Sequence, residues 1–208
     1  MATLAEKFLP TYDVSDSVAT VVDAEPDAVY DALLEVDMVE VGRRKKVAGT
    51  LLGLRVLPLL LTKMLRGEKP PKAPERLTLK DSTEIPAADG GWVLLDEKPG
   101  AELALGLVGR FWRPVIDYRA VAAEEFAGFD EPGYAKTAYA LGVKAIEGGG
   151  TLLSATMRTA TTDEDARRWF RRYWTLGVGS GAKVLVNGVL DLACEASEKD
   201  GIGAGQAA

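Results

Sequence analysis

Histidine is absent from all 208 residues, which removes the side chain whose unperturbed pKa lies near neutrality and the commonest protein ligand for metals. Ser-His-Asp and Cys-His nucleophile systems are thereby excluded, together with histidine-ligated zinc, non-haem iron and the usual haem ligation. Cysteine occurs once, at Cys194, so the chain forms neither an intramolecular disulfide nor a cysteine-rich zinc site, in keeping with a reducing compartment. Its neighbours Leu190, Leu192 and Ala193 mark it as a small core residue. No metal and no cofactor are expected. The first twenty residues lack the basic start and apolar block of an export signal, and the expected location is the cytoplasm.

Net positive charge is also missing. A balance of −6 opposes a polyanionic partner, because nucleic-acid affinity depends largely on cations that neutralise phosphates. No nucleic acid is expected as a partner. Arg43-Arg44-Lys45-Lys46 and the quartet Arg167, Arg168, Arg171 and Arg172 are local exceptions, read as solvated faces.

A long uninterrupted apolar run is the third absence. The most hydrophobic stretch, 47–65, carries Arg55, Pro58 and Lys63, whereas a membrane-spanning helix needs ~20 predominantly apolar residues. It is read as a buried or half-buried helix kinked near Pro58, the other reading being weak peripheral membrane contact through residues 43–65. Residues 66–75, RGEKPPKAPE, have the composition of a surface loop rather than a domain boundary, so residues 1–208 are taken as one domain.

What is present alternates. Ser17 to Val22 is β-branched and bounded by polar residues, a first strand. Pro26 follows with an acid in the first turn and Val29, Tyr30, Leu33, Leu34 and Val36 at helical spacing, a short amphipathic helix. Trp92–Asp96 and Ala101–Phe111 flank the turn Lys98-Pro99-Gly100 as a hairpin, with Leu103, Leu105 and Leu107 on one face. Tyr134–Ile146 and Thr151–Thr161 form a second hairpin across Glu147-Gly148-Gly149-Gly150. Thr137, Tyr139, Leu141 and Val143 share a face there, as do Leu153, Ala155 and Met157. This alternation predicts an antiparallel sheet with one wet face.

Thr162-Asp163-Glu164-Asp165 has helix-capping chemistry, and a long helix is expected from there to about Ala196, with residues 199–208 a disordered tail. Gly177, Gly179, Gly181 and Gly188 weaken or kink its middle, each at ~1 kcal/mol relative to alanine. They mark close backbone packing or the approach of a ligand or the sheet.

Gly177-Val178-Gly179-Ser180-Gly181-Ala182 fits the loose dinucleotide pattern, and Lys183 adds a phosphate-loop look, but both need a strand ahead of the glycines and RRWFRRYWTL reads as helix. The acidic run at 163–165 lacks the spaced oxygen ligands of a calcium loop. Glu124-Glu125 and Asp130-Glu131 are read as surface.

The order of elements resembles the START-like or SRPBCC superfamily, the helix-grip fold. Residues 105–112 (LGLVGRFW), 126–136 (FAGFDEPGYAK), 168–174 (RWFRRYW) and 179–181 (GSG) look like an uncharacterised bacterial branch of it, over about residues 12–196. The resemblance implies an α+β fold in which a curved antiparallel sheet grips a long C-terminal helix, with a helical insertion after the first strand. It also implies a cavity between sheet and helix, over which the stretch 47–65 would be a lid.

On that reading the protein binds or carries a small hydrophobic ligand: a lipid, isoprenoid, quinone or polyketide-like molecule, neutral and elongated or multi-ring. The cavity wall would be Leu103, Leu105, Leu107, Tyr139, Leu141, Val143, Met157, Tyr173 and Trp174, with a tyrosine hydroxyl to orient the ligand. The first alternative is a cyclase, dehydratase or hydrolase acting without histidine. Asp117, Tyr118 and Arg119 are its only compact candidate set, against which stands an ordinary charged turn. The second alternative is a peripheral membrane-contacting or regulatory module. Ligand identity and oligomeric state are not written in the sequence.

Overall fold

Turn chemistry and alternation fix the sheet. Pro99 and Gly100, the latter at φ 73°, close the hairpin between β2 (Val93–Lys98) and β3 (Glu102–Gly109), with Ala101 N–H donating to the Lys98 carbonyl at 2.9 Å. Gly148, Gly149 and Gly150, all at positive φ, join β4 (Ala135–Ala145) to β5 (Thr151–Thr161). With β1 (Val14–Val22) these make an open, five-stranded, wholly antiparallel sheet in the order β1-β5-β4-β3-β2. The computed structural model describes residues 3–46, 50, 64–65, 67 and 74–205. Apart from Thr50, Met64 and Leu65, the stretch 47–65 with its expected kink and lid lies outside the described residues, as does most of the connection 66–75.

The fold class expected from the sequence holds: α+β, with helices between β1 and β2 and a long helix at the C-terminal end. A five-residue helix, α1 (Leu4–Phe8), precedes β1, closed by a capping box between Thr3 and Glu6. α2 (Pro26–Leu34) and α3 (Met38–Arg44) follow β1. The short α4 (Leu79–Ser82) is tied to the start of α3: Met38 N–H donates to the Leu77 carbonyl at 2.8 Å, and Leu77 N–H to the Asp37 carboxylate at 3.1 Å. α5 (Ala123–Phe126) lies between β3 and β4.

The expected single long helix is two helices. α6 (Glu164–Tyr173), capped by Asp163, runs into a π-helical turn at Trp174–Val178, after which α7 (Gly179–Gly205) leaves at a bend of 66°. The break falls on the glycines, as their cost predicts. A Cβ on Gly179 would stand 2.6 Å from the Trp174 ring, so glycine lets the indole fold across the start of α7. One on Gly188 would stand 2.7 Å from Val41 Cγ1, so there glycine serves close packing of α7 against α3. The helix also continues past Ala196 to Gly205, across residues 199–205 of the tail expected to be disordered. Among the described residues no single helix is long and apolar enough to cross a membrane.

The expected wet face is largely covered. The row opposite Leu103 and Leu105 is Ala104, Gly106 and Val108, joined on β4 by Ala138 and Ala140, all buried. α1, Leu95 and Phe126 pack there, so close that a Cβ on Gly106 would meet both Leu95 and Phe126 side chains within 3 Å. Arg158 of β5 fastens this layer, donating to the Leu9 carbonyl at 3.1 Å and to Glu6 at 2.9 Å beneath the Tyr12 ring. The main core lies on the other face, between the sheet, α2, α3 and α7.

Candidate functional site

Strand register assembles the site floor. Leu105, Tyr139, Met157 and Asp16 stand side by side across β3, β4, β5 and β1, and Leu103, Leu141, Ala155 and Val18 form the next row. Above Leu105, Tyr139 and Leu141 is a space of about 170 Å³. Its roof is Ala182, Leu185, Val186 and Val189, one stripe of α7, and its side wall is Met38, Leu79 and Trp92. The Asp37–Thr78 bridge places Met38 and Leu79 there. Trp92 is held by its N–H donating to the Ser82 carbonyl at 3.1 Å. Its ring meets Tyr139 edge-on, with centroids 5.3 Å apart.

Two further spaces adjoin this cavity, one larger and one much smaller. Past Leu79 and Leu105 a more polar cleft of about 340 Å³ continues along Leu103 and Leu94 to Lys80, Thr83 and Glu97. Glu97 accepts from the Tyr30 hydroxyl at 2.7 Å; burial, then this carboxylate, pushes the Tyr30 phenol well above its ordinary pKa. On the other side, past Tyr139, Ala182 and Val186, is a niche of about 20 Å³ bounded by Asp16, Ser17, Met157, Trp174 and Lys183. Lys183 reaches from α7 to Asp16 on β1 at 3.1 Å.

Of the expected wall residues, Leu105, Tyr139 and Leu141 line the cavity, Leu103 the cleft, and Met157 and Trp174 the niche. Leu107, Val143 and Tyr173 do not line these spaces. Leu107 is one row on, beside Thr137, and Val143 is buried in the main core at the opposite end. Tyr173 packs on Phe170 with ring centroids 6.2 Å apart. Missed from sequence were Met38, Leu79 and Trp92, brought in by long-range pairing, and the α7 stripe, whose spacing at 182, 185, 186 and 189 was legible.

Asp117, Tyr118 and Arg119 do not converge on the cavity. They run beside the end of β3, Gly109 bridging to Tyr118. Asp117 takes ion pairs from Arg110 at 3.2 Å and Arg113 at 3.7 Å, and Arg119 pairs with Glu131 at 2.9 Å. These pairs form a charged cluster at the end of β3, and none of the three residues lines the apolar cavity. The basic run is similarly engaged: Arg43 and Arg44 pair with Glu40, Arg44 also with Glu195, and Lys45 with Asp191. Gly177–Ala182 follows a helix rather than a strand, so a nucleotide loop is not formed. A larger groove between α2 and α7, about 490 Å³, is open and edged by Asp31, Glu35, Asp37 and Glu40; Asp37 there caps α3. Among the described residues no group of three or more acidic or cysteine side chains is placed to hold a metal ion.

No protein-family model matches the chain, and no curated protein does. Among solved structures, a conserved protein from Geobacillus kaustophilus aligns over 89% of this chain and 96% of its own, at 12% identity and TM-score 0.38. A hypothetical protein from Helicobacter pylori aligns over 90% and 93%, at 10% identity and TM-score 0.39. Likeness of that degree carries no argument about function, which rests on the site alone.

Proposed function

We propose that this protein binds or carries a small, neutral, mainly apolar ligand between the sheet and the C-terminal helix. The observation that supports this is the 170 Å³ space itself: among the described residues its lining has no charged side chain, and only Tyr139 and Trp92 there carry a side-chain nitrogen or oxygen. Protein interiors otherwise close such gaps, and an apolar cavity of ~150 Å³ accepts a molecule the size of benzene. An elongated or multi-ring ligand needs the cavity and the adjoining cleft together, passing between Leu79 and Leu105. Among the described residues, the lining of this space offers no acid or base in support of the enzyme reading.

Toluene is a suitable first probe. It is expected to show saturation transfer from the protein in NMR and to raise the melting temperature, since a ligand that binds only the folded state stabilises it by mass action. Ala182→Phe, which places a ring under the α7 roof, is expected to abolish both effects. Absence of binding to the wild type at millimolar toluene, with no small molecule extractable from freshly purified protein, would remove the carrier reading.

A further inference from the structure

An apolar cavity selects poorly by itself, because one hydrophobic body fills it about as well as another. Discrimination comes from buried polar atoms that a wrong ligand leaves without a partner. Tyr139, half-buried at the border of the space, supplies a polar atom that can act in this way. Its ring is fixed by the edge-on contact with Trp92, and its hydroxyl has no hydrogen bond among the described residues. Burial, with the nearby Asp16 and Tyr173, holds the phenol well above its ordinary pKa, so it stays neutral and keeps a proton to donate.

The side chain also borders two spaces at once. The apolar cavity lies on one side and the niche on the other, and Ala182 and Val186 are shared by both. At about 20 Å³ the niche has room for one water. Its charges are already matched: Lys183 is held by Asp16 at 3.1 Å, and the Ser17 hydroxyl is bonded to Thr156 at 3.2 Å. A carboxylate entering here would shed its hydration beside Asp16 without gaining a free counter-ion. A pure hydrocarbon would leave the Tyr139 hydroxyl with no partner but water.

We propose that the ligand is a neutral molecule whose apolar body is about one ring in size and which carries a hydroxyl or carbonyl oxygen at the end facing the niche, where the Tyr139 hydroxyl bonds it directly or through one water; this rests on the cavity holding a ligand at all. Tyr139 then sets specificity, and Lys183 with Asp16 closes the polar end against anions.

Three one-ring probes separate the possibilities: toluene, p-cresol and p-toluate, titrated by saturation-transfer NMR into the wild type, Tyr139→Phe and Ala182→Phe. The wild type is expected to bind p-cresol roughly three- to ten-fold more tightly than toluene, the weight of one neutral hydrogen bond, and p-toluate least. Tyr139→Phe removes one oxygen and keeps the ring, so it should bind toluene as before and lose the preference for p-cresol. Ala182→Phe should bind none of the three. If toluene binds the wild type but p-cresol gains nothing, or if the preference survives in Tyr139→Phe, the polar handle is wrong while the cavity stands. Tighter binding of p-toluate than of p-cresol overturns the neutral ligand. If no probe binds the wild type, or Ala182→Phe leaves binding intact, the handle and the cavity reading fail together.

Discussion

Replacing Asp13 by asparagine tests whether charge holds the start of α6 against the sheet. The Asp13 side chain, only 9% exposed, accepts three hydrogen bonds: from the Thr161 N–H at 2.8 Å, from the Thr161 hydroxyl at 2.6 Å and from Arg167 Nε at 2.6 Å. Burial by itself pushes this carboxyl up, but the bonds from Thr161 and the Arg167 guanidinium outweigh burial and hold it below its ordinary value of 3.8. A carboxylate whose folded pKa is depressed contributes stability that is complete above the unfolded value and is lost as pH falls through the folded one. Asparagine keeps the shape, removes the charge and turns one acceptor into a donor that faces Thr161 or Arg167. A hydrogen bond to a charged group contributes ~1.5–3 kcal/mol net. Arg167 keeps 35% of its side chain in solvent, which favours the lower part of that range. With ~2–4 °C per kcal/mol for a domain of this size, Asp13→Asn should melt about 3–8 °C below the wild type at pH 7. Calorimetry from pH 7 down to pH 2.5 should show the gap narrowing below about pH 4, because the wild type protonates Asp13 and loses what the variant never had. A gap that is absent at pH 7, or equally wide at both ends of the series, would refute the charge argument.

Two further substitutions address the layers around the site. Gly188→Leu drives a side chain into Val41 and Lys45, where even a Cβ would stand 2.7 Å and 3.1 Å from the nearest atoms. Urea unfolding should register a loss of about 1–3 kcal/mol, and an unchanged midpoint would mean α3 does not pack on α7 as described. Arg158→Met keeps the aliphatic stem but withdraws the bonds to Leu9 and Glu6. Hydrogen exchange at the Leu9 amide, which donates to the Ala5 carbonyl, should accelerate while the β4–β5 ladder stays protected. Equal protection in both proteins would show α1 to be held by apolar contact alone.

Both hairpins, the first strand, α2 and the capped start of α6 were legible because each is encoded locally. Proline and glycine set the turns, period-two alternation sets the faces, and Asp163 caps its own helix, accepting from Ala166 N–H at 2.7 Å. The covered outer face was misread although the signal was present. Its residues on β3 are Ala104, Gly106 and Val108, small and apolar rather than polar, as a layer that receives Phe126 and Leu95 requires. α1 was overlooked because five residues give no measurable period, yet Thr3 and Glu6 spell a capping box. At the site, the centre of the expected wall borders the cavity and its neighbouring spaces, and Leu107, Val143 and Tyr173 lie off them. Alternation says which face Leu107 and Val143 share with Leu105 and Leu141, but not how far along the strands the space extends. Met38, Leu79 and Trp92 could not be found locally, since pairing between residues 37 and 78 and between residues 82 and 92 carries them in. Asp117 to Arg119 looked compact in sequence, but strand ends are where charged turns gather.

The space beside Tyr139 follows from a mismatch of widths. Five strands at ~4.8 Å spacing span roughly 19 Å, while a helix with its side chains is ~10–12 Å across, so one helix covers about half of such a sheet. α7 rests on β1 and β5, and its closest helical neighbour is α2, which reaches β4 and β5; neither packs substantially on β3. The π turn and the 66° bend set this lean, since α6 stays against the end of β4 and β5 while α7 is redirected toward α2. Extra residues of this kind inside a helix recur at functional sites because they re-aim one segment without unfolding either. The part of the floor over β3 and β4 that α7 leaves uncovered is walled by side chains from three short or irregular elements, Met38, Leu79 and Trp92. Among the described residues they wall the space without filling it, which is why it stands open above Tyr139.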